Sequence, residues 1–181
     1  VMGSNGSVIP LFVQQLKAGK GTFTALATAF RDEGKVLGGI CAAASALAAT
    51  GVLNDVAHTG NSLASHKKYP GYRGEARYID QPQAVRDGKI VTAAGSAPDT
   101  FTIEVLKARI AAVPNVLGMP AVDVEILEFN LLGPVLAVRP YCHNAHYWQV
   151  YFDTNKVLKD ALGDAGFPAP MPTQTVIMQQ P

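Results

Sequence analysis

The sequence predicts an α/β fold built from two consecutive parts, and three observations predict it. Residues 36–40 form a short apolar run that continues through Cys41 into an alanine-rich stretch, which is typical of a strand leading into a helix. Residues 121–129 alternate apolar and acidic side chains, as a half-buried strand does. Residues 147–165 then have the composition and length of a long helix. The first part is therefore expected to be α/β, and the second α+β.

Composition limits the classes of protein that the chain can belong to. It has 181 residues, of which 48% are hydrophobic and 16% charged, so we expect a soluble globular protein. The formal net charge of +1 argues against electrostatic binding to nucleic acid or to an anionic membrane. Two widely spaced cysteines suit a reducing compartment, so a cytoplasmic location is expected. We expect no signal peptide and no membrane-spanning helix, and no cofactor is predicted.

The first part is predicted to contain four helices and three strands, taken here in chain order. A helix over 8–17 starts near Pro10, and a second helix over 25–34 ends at Gly34. The strand before Cys41 leads into a helix that ends at Gly51. Strands at 78–79 and 89–94 are expected on either side of an Asp87-Gly88 turn, and residues 96–99 open a further helix.

Cys41 stands at a predicted nucleophile elbow, the sharp turn that carries a catalytic residue between a strand and a helix. Gly39 and Ala43 flank it at two positions on either side, and such a turn needs small neighbours. The thiol would lie at a helix N-terminus, where the dipole and free N–H groups favour a thiolate and can hold an oxyanion. The alternative is a cysteine buried for packing at a tight junction.

Residues 25–107 resemble the C-terminal half of the class I glutamine amidotransferase-like superfamily, in its Parkinsonism-protein/PfpI branch. The matching pieces are residues 34–35, 40–43, 47–48, 51–53, 58–59, 72–78, 85–93 and 97–106. The resemblance implies a flavodoxin-like half sheet in which Cys41 is the nucleophile or a redox-sensing thiol. It also implies that the Ala42 N–H belongs to the oxyanion site.

The chain departs from that family in ways that bear on catalysis. The family's supporting acid and its Gly-Gly loop come from an N-terminal half that this sequence does not include. Ala42 stands where many hydrolytic members have a histidine. His58 is the histidine nearest in sequence to Cys41 and is a candidate catalytic partner. The alternative for His58 is a structural histidine in a loop.

The second part has the element order helix, strand, strand, helix, strand, with a turn at Gly133-Pro134 and a last strand over 173–178. This is a ferredoxin-like arrangement that lacks its first strand. Val122, Val124, Ile126 and Phe129 are expected on one face of the first strand. Residues 103–181 resemble the cytoplasmic C-terminal domain of small-conductance mechanosensitive channels, on segments 113–116, 122–129, 133–143 and 147–153. Residues 101–112 would be a helix shared by both parts.

Two other segments carry groups that could bind a ligand. Cys142, His143 and His146 offer three potential Zn²⁺ ligands within five residues. A fourth ligand is missing, so no metal is predicted and an ordinary strand-to-helix loop is the alternative. The basic segment 66–77, which contains two tyrosines, could stack and pair with nucleic acid, but such a segment is more often a solvated loop, and no nucleic-acid partner is predicted.

Residues 1–24 resemble a fragment of sugar-nucleotide dehydratases and epimerases, on the segment 3–12. Three truncated resemblances predict an artificial or recombined chimera without evolved catalytic activity. The first alternative is a Cys41-dependent hydrolase-like, amidotransferase-like or redox-sensing protein. The second is an oligomerisation module related to the channel domain, and a homo-oligomer would pair free sheet edges. No substrate is predicted.

Overall fold

A three-stranded sheet organises the first part of the computed structural model, which describes residues 21–131 and 133–164. Its strands are β1 (Leu37–Ile40), β2 (Val85–Asp87) and β3 (Ile90–Ala93), in the order β1–β3–β2. β1 runs parallel to β3, with Ile40 opposite Ala93, and β2 is antiparallel to β3. The carboxyl ends of β1 and β3 therefore lie side by side at one edge of the sheet.

The hairpin around Gly88 differs from the prediction in its first strand. Gly88 has φ +58°, and Asp87 pairs with Ile90, so the turn is tight. The strand that pairs with β3 is therefore β2, which ends directly before the turn. Residues 78–79 do not form that strand. Tyr78 instead makes an isolated bridge to His58.

Helices α1 (Thr22–Asp32) and α2 (Ala42–Thr50) pack on this sheet, and the short α3 (Leu63–Lys67) packs against α2. Gly51 ends α2 in the left-handed conformation, with φ +83°, as a C-terminal glycine commonly does. Small side chains on α2 allow it to lie close to the sheet. The buried core includes Phe23, Ala27, Ala46, Leu47, Ala48, Val52, Leu53, Tyr72 and Ile90.

The second part is an antiparallel ribbon between two helices. α4 (Pro98–Ile110) precedes β4 (Asp123–Asn130) and β5 (Gly133–Arg139), and α5 (Tyr147–Asp164) follows them. The ferredoxin-like arrangement is not confirmed, because the described sheet here has two strands. The predicted strand over 173–178 and the predicted helix over 8–17 lie outside the described residues.

The predicted inward face of β4 is correct only at its beginning. Val122 and Val124 are buried with Leu106, Ile110 and Ala161 in a second core. Ile126 and Phe129 are 38% and 75% exposed, contrary to the prediction. Every residue from 125 to 131 is exposed, so among the described residues no element covers this end of the ribbon on either face.

Helix α4 contacts both parts of the molecule. A Cβ added at Gly38 in β1 would lie 3.0 Å from Phe101 Cζ and 3.5 Å from Val105 Cγ2, so that face of α4 packs on β1. Leu106 and Ile110 lie in the second core.

Where the domain boundaries fall stays a prediction. None of the helices in the described ranges has the length and apolar character needed to cross a membrane.

Candidate functional site at the Cys41 elbow

Cys41 forms a strained junction between β1 and α2. Its backbone has φ 58° and ψ −123°, a region that L-residues rarely occupy and that is found at functional turns. The Cys41 N–H donates to Ala93 O at 3.0 Å, which ties the turn to the end of β3. A Cβ at Gly39 would lie 2.7 Å from Leu47 Cδ1 and 3.1 Å from the Ala43 backbone, so the expected need for small neighbours has a direct steric cause. This is the geometry of a nucleophile elbow.

The sulfur of Cys41 lies where two strand ends and one loop meet. Gly95, just after β3, is so close that a Cβ there would lie 3.0 Å from Cys41 Sγ. Ala42 is exposed and is the first residue of α2, a position whose N–H has no acceptor within its own helix. The half-buried thiol therefore adjoins a backbone donor that is suited to an oxyanion.

Asn61 is the side chain that reaches the sulfur. Its Nδ2 donates to Cys41 Sγ at 3.4 Å, and its Oδ1 accepts from the Gly95 N–H at 2.9 Å. Within the part of the chain that the structure describes, no histidine or carboxylate is hydrogen-bonded to this sulfur. The described partner of Cys41 is therefore a neutral amide that can donate a hydrogen bond but cannot act as a base.

His58 lies in a buried aromatic cluster rather than in hydrogen-bond contact with Cys41. Its Nδ1 is 2.8 Å from Val56 O, and its Nε2 is 2.8 Å from the Tyr72 hydroxyl, so both ring nitrogens have partners. The ring stacks on His66 at a centroid distance of 5.6 Å, and Tyr78 packs edge-on to both histidines. We call His58, His66, Tyr72 and Tyr78 the His-Tyr cluster.

Burial favours the neutral form of every member of the His-Tyr cluster. It lowers the pKa of His58, and together with the neighbouring His58 it lowers the pKa of His66 to about 4. It also raises the pKa of Tyr72 to about 12 and raises the pKa of Tyr78. Both nitrogens of His66 lack a hydrogen-bond partner among the described residues, although the ring is fully buried. At neutral pH the cluster is uncharged.

The weak metal candidates lie in the segment between β5 and α5. Cys142 is a free thiol, and residues 144–146 form a single 3₁₀ turn in which the His146 N–H donates to His143 O. Across residues 21–131 and 133–164, no three His, Cys, Asp or Glu side chains come together in a group that could hold a metal ion. His143 and His146 are both exposed.

Asn61 and Gly95 are the site residues that the sequence did not indicate. Asn61 stands 20 residues after Cys41 in a segment that has the composition of an ordinary loop. Gly95 follows a predicted strand, where glycine commonly marks a turn. Only the parallel pairing of β1 with β3 shows that the residues after both strands share one site.

Comparison with known proteins shows similarity over the part of the chain that contains this elbow. Uncharacterized protease YdeA of Bacillus subtilis (strain 168) is 43% identical over 68 residues, which is 38% of this chain and 34% of that protein. Uncharacterized protease YoaZ of the same organism is 41% identical over 85 residues, covering 46% and 40%. The chain thus spans between a third and two fifths of the length of these curated relatives.

Two solved structures are also similar. The DJ-1 superfamily protein Atu0886 from Agrobacterium tumefaciens is 64% identical, with a TM-score of 0.47 and 51% of each chain covered. The thiJ/pfpI family protein from Bacillus anthracis is 48% identical, with a TM-score of 0.36, covering 38% of this chain and 32% of that one.

The family model described as DJ-1/PfpI family matches residues 14–108, more than half of the chain. The match begins inside the segment 1–24 that was assigned to a dehydratase fragment. That resemblance and the channel-like resemblance of 103–181 are not shown. The prediction of an artificial chimera without evolved activity is wrong, because one natural family accounts for the elbow and the sheet that carries it. The chain belongs to the DJ-1/PfpI family.

Proposed function

We propose that this protein carries out cysteine-dependent, hydrolase-like chemistry through Cys41. The observation that carries the proposal is the backbone of Cys41, held at φ 58° and ψ −123° so that a half-buried thiol stands at the start of α2. Strain of this kind is kept where the surrounding structure requires it, and it is concentrated at functional sites. The curated relatives YdeA and YoaZ are named as proteases, which supports a hydrolytic reaction.

In the proposed reaction the Cys41 thiolate attacks a carbonyl carbon of the substrate. A C–S bond forms and the carbonyl π electrons move to oxygen, which the Ala42 N–H at the start of α2 stabilises. The oxyanion then collapses and expels the leaving group, which takes up a proton. Water hydrolyses the resulting thioester and regenerates the thiol. No described histidine contacts the sulfur, so the proposal assigns no general base to His58.

A second candidate is peroxide sensing by the same thiol. The observation that favours it is the neutral amide contact from Asn61, since oxidation needs a thiolate but no general base to complete a catalytic cycle. The sulfur would attack one peroxide oxygen, the O–O bond would break, and hydroxide would leave. The thiol is oxidised to sulfenic acid and the peroxide is reduced. Both free cysteines, Cys41 and Cys142, support a reducing, cytoplasmic location for such a thiol.

The test compares two single substitutions in the full chain, Cys41→Ala and the matched control Cys142→Ala. Hydrolysis of an activated ester and of a peptide substrate is measured at neutral pH. We expect Cys41→Ala to reduce turnover by at least about 100-fold, as loss of a nucleophile does. Cys142→Ala should leave turnover unchanged. Equal turnover in the two variants would contradict the hydrolytic proposal.

The redox candidate is tested on the same proteins with hydrogen peroxide and dimedone, which traps sulfenic acid. A dimedone adduct on Cys41, absent from Cys142 and formed without ester turnover, would select peroxide sensing over hydrolysis. If dimedone labels neither cysteine, the redox candidate is excluded.

A further inference from the structure

We propose that Asn61 is the positioning residue that holds and stabilises the Cys41 thiolate, in the place of a charged or basic partner. The inference rests on the proposed function of Cys41 and assigns a role to a residue that neither the sequence pattern nor the family match singles out. Asn61 joins the sulfur to the backbone at the end of β3 through one side-chain amide.

The hydrogen bond from the Gly95 N–H determines which atom of the Asn61 amide faces the sulfur. The Gly95 backbone can only donate at its N–H, and it lies 2.9 Å from the Asn61 oxygen. The amide nitrogen must therefore face Cys41 Sγ, 3.4 Å away. A hydrogen bond donated to a sulfur stabilises the thiolate more than the thiol, because the thiolate is the better acceptor.

Gly95 makes this arrangement sterically possible. A Cβ at residue 95 would lie 3.0 Å from Cys41 Sγ and 3.1 Å from Cys41 Cβ, and 3.7 Å from Asn61 Oδ1. A side chain at residue 95 would therefore press against Cys41, and glycine leaves the space that the sulfur occupies. Cys41, Asn61 and Gly95 thus form one connected unit at the carboxyl ends of β1 and β3.

The loop that carries Asn61 is held by buried groups. The Thr59 N–H donates to Thr92 Oγ1 in β3 at 2.8 Å, and Thr59 and Thr92 are both fully buried. His58, the residue before Thr59, is held in the His-Tyr cluster by hydrogen bonds at both ring nitrogens. Gly60 packs against His66, since a Cβ there would lie 2.5 Å from His66 Nε2. These contacts fix the backbone on which Asn61 stands, so its amide is preorganised rather than recruited by substrate.

The experiment uses Asn61→Asp, which separates the two hydrogen bonds. Aspartate can still accept from the Gly95 N–H, but it places a carboxylate against the sulfur instead of a donor. The rate of iodoacetamide alkylation of Cys41 is measured across pH by peptide mass spectrometry. We expect the midpoint of this profile to rise by about one pH unit or more in Asn61→Asp, and by less in Asn61→Ala, which only removes the donor.

Asn54 provides a matched control. Its side-chain amide, just beyond the C-terminal end of α2, also donates one hydrogen bond and accepts one, and both partners are backbone groups: it donates to Gly71 O at 3.1 Å and accepts from the Arg73 N–H at 2.7 Å. Asn54→Asp should leave the midpoint of Cys41 alkylation unchanged. If Asn61→Asp and Asn54→Asp give the same midpoint, or if Asn61→Ala does not differ from the unsubstituted protein, the proposal is overturned.

The midpoint of Cys41 alkylation can be measured whether or not the protein turns over a substrate. Absence of ester hydrolysis in the unsubstituted protein would remove the hydrolytic function, while the alkylation midpoints would still decide the role of Asn61. If Asn61→Asp does not fold, as judged by circular dichroism, Asn61→Ala is compared with Asn54→Ala instead. Equal midpoints of Cys41 alkylation in these two variants would then overturn the proposal.

Discussion

The residues around Cys41 are of two kinds, those that adjoin the sulfur and those that hold the loop that carries Asn61. Asn61 and Gly95 belong to the first kind, and His58 and His66 to the second. His58 and His66 are buried and uncharged at neutral pH, so acid that protonates them places a charge in the core. A change in the protonation of this cluster would reach the Asn61 loop through Gly60.

The lowered pKa of His66 predicts a loss of stability in mild acid. The unfolded chain takes up this proton near pH 6.5, whereas folded His66 does so at about 4. Unfolding therefore binds a proton between these values, and stability falls as the pH is lowered through them, by about 3 kcal/mol from this group at pH 4.

Thermal unfolding measured from pH 7 to pH 4 checks this prediction. His66→Asn should have a lower melting temperature at pH 7 and a shallower dependence on pH. The control is His143→Asn, because His143 is exposed. If His66→Asn and His143→Asn show the same pH dependence as the unsubstituted protein, His66 does not titrate as described.

At the scale of single elements, the β1–α2 junction depends on the absence of a side chain at Gly39. A methyl group there would meet Leu47 Cδ1 at 2.7 Å and the Ala43 backbone at 3.1 Å. Leu47 can rotate, but the backbone of α2 has to move. The position of the Cys41 sulfur depends on the same stretch of α2.

Gly39→Ala is therefore expected to reduce the free energy of unfolding by about 1–3 kcal/mol, as overpacking does. Urea unfolding followed by circular dichroism measures the effect. Gly163→Ala is the matched substitution, because Gly163 lies in α5 with nothing within 4 Å of the added methyl. There we expect a neutral effect or a gain of about 0.5–1 kcal/mol. A loss at Gly163 as large as that at Gly39 would show that steric contact is not the cause.

The elements of the first part could largely be predicted from local patterns. The strand, turn and helix around Cys41 are present because Gly39, Ala43 and Gly51 each meet a steric demand that is visible in sequence. The exposure of Ile126 and Phe129 could not be predicted, since alternation shows which residues share a face of a strand but not whether another element covers that face. Asn61 could not be predicted either, because its role depends on which loop the tertiary fold brings to the thiol.

At the scale of the whole molecule, α4 joins two cores that are otherwise built from different segments. One face contacts β1 through Phe101 and Val105, and Leu106 and Ile110 pack against β4 and α5. A single helix shared in this way should make the unfolding of the two cores interdependent.

Ile110→Ala tests this coupling. Ile110 is fully buried, so its truncation should cost about 2–5 kcal/mol. The rate of backbone amide hydrogen exchange should increase in peptides from β3 and also in peptides from β5. Ile79→Ala, at a residue that is 40% exposed, is the matched control and should cost less than about 1 kcal/mol. Faster exchange in β5 alone would show that the two cores unfold separately.

The reactivity of Cys41 is the property on which the proposed chemistry depends. The most direct measurement is the alkylation rate of Cys41 and of Cys142 by iodoacetamide in the same folded protein, followed across pH by peptide mass spectrometry. Because Cys41 stands at a helix N-terminus with an amide donor on its sulfur, we expect it to react at least about tenfold faster than Cys142 at neutral pH. Identical pH profiles for the two cysteines would contradict the assignment of Cys41 as the reactive centre.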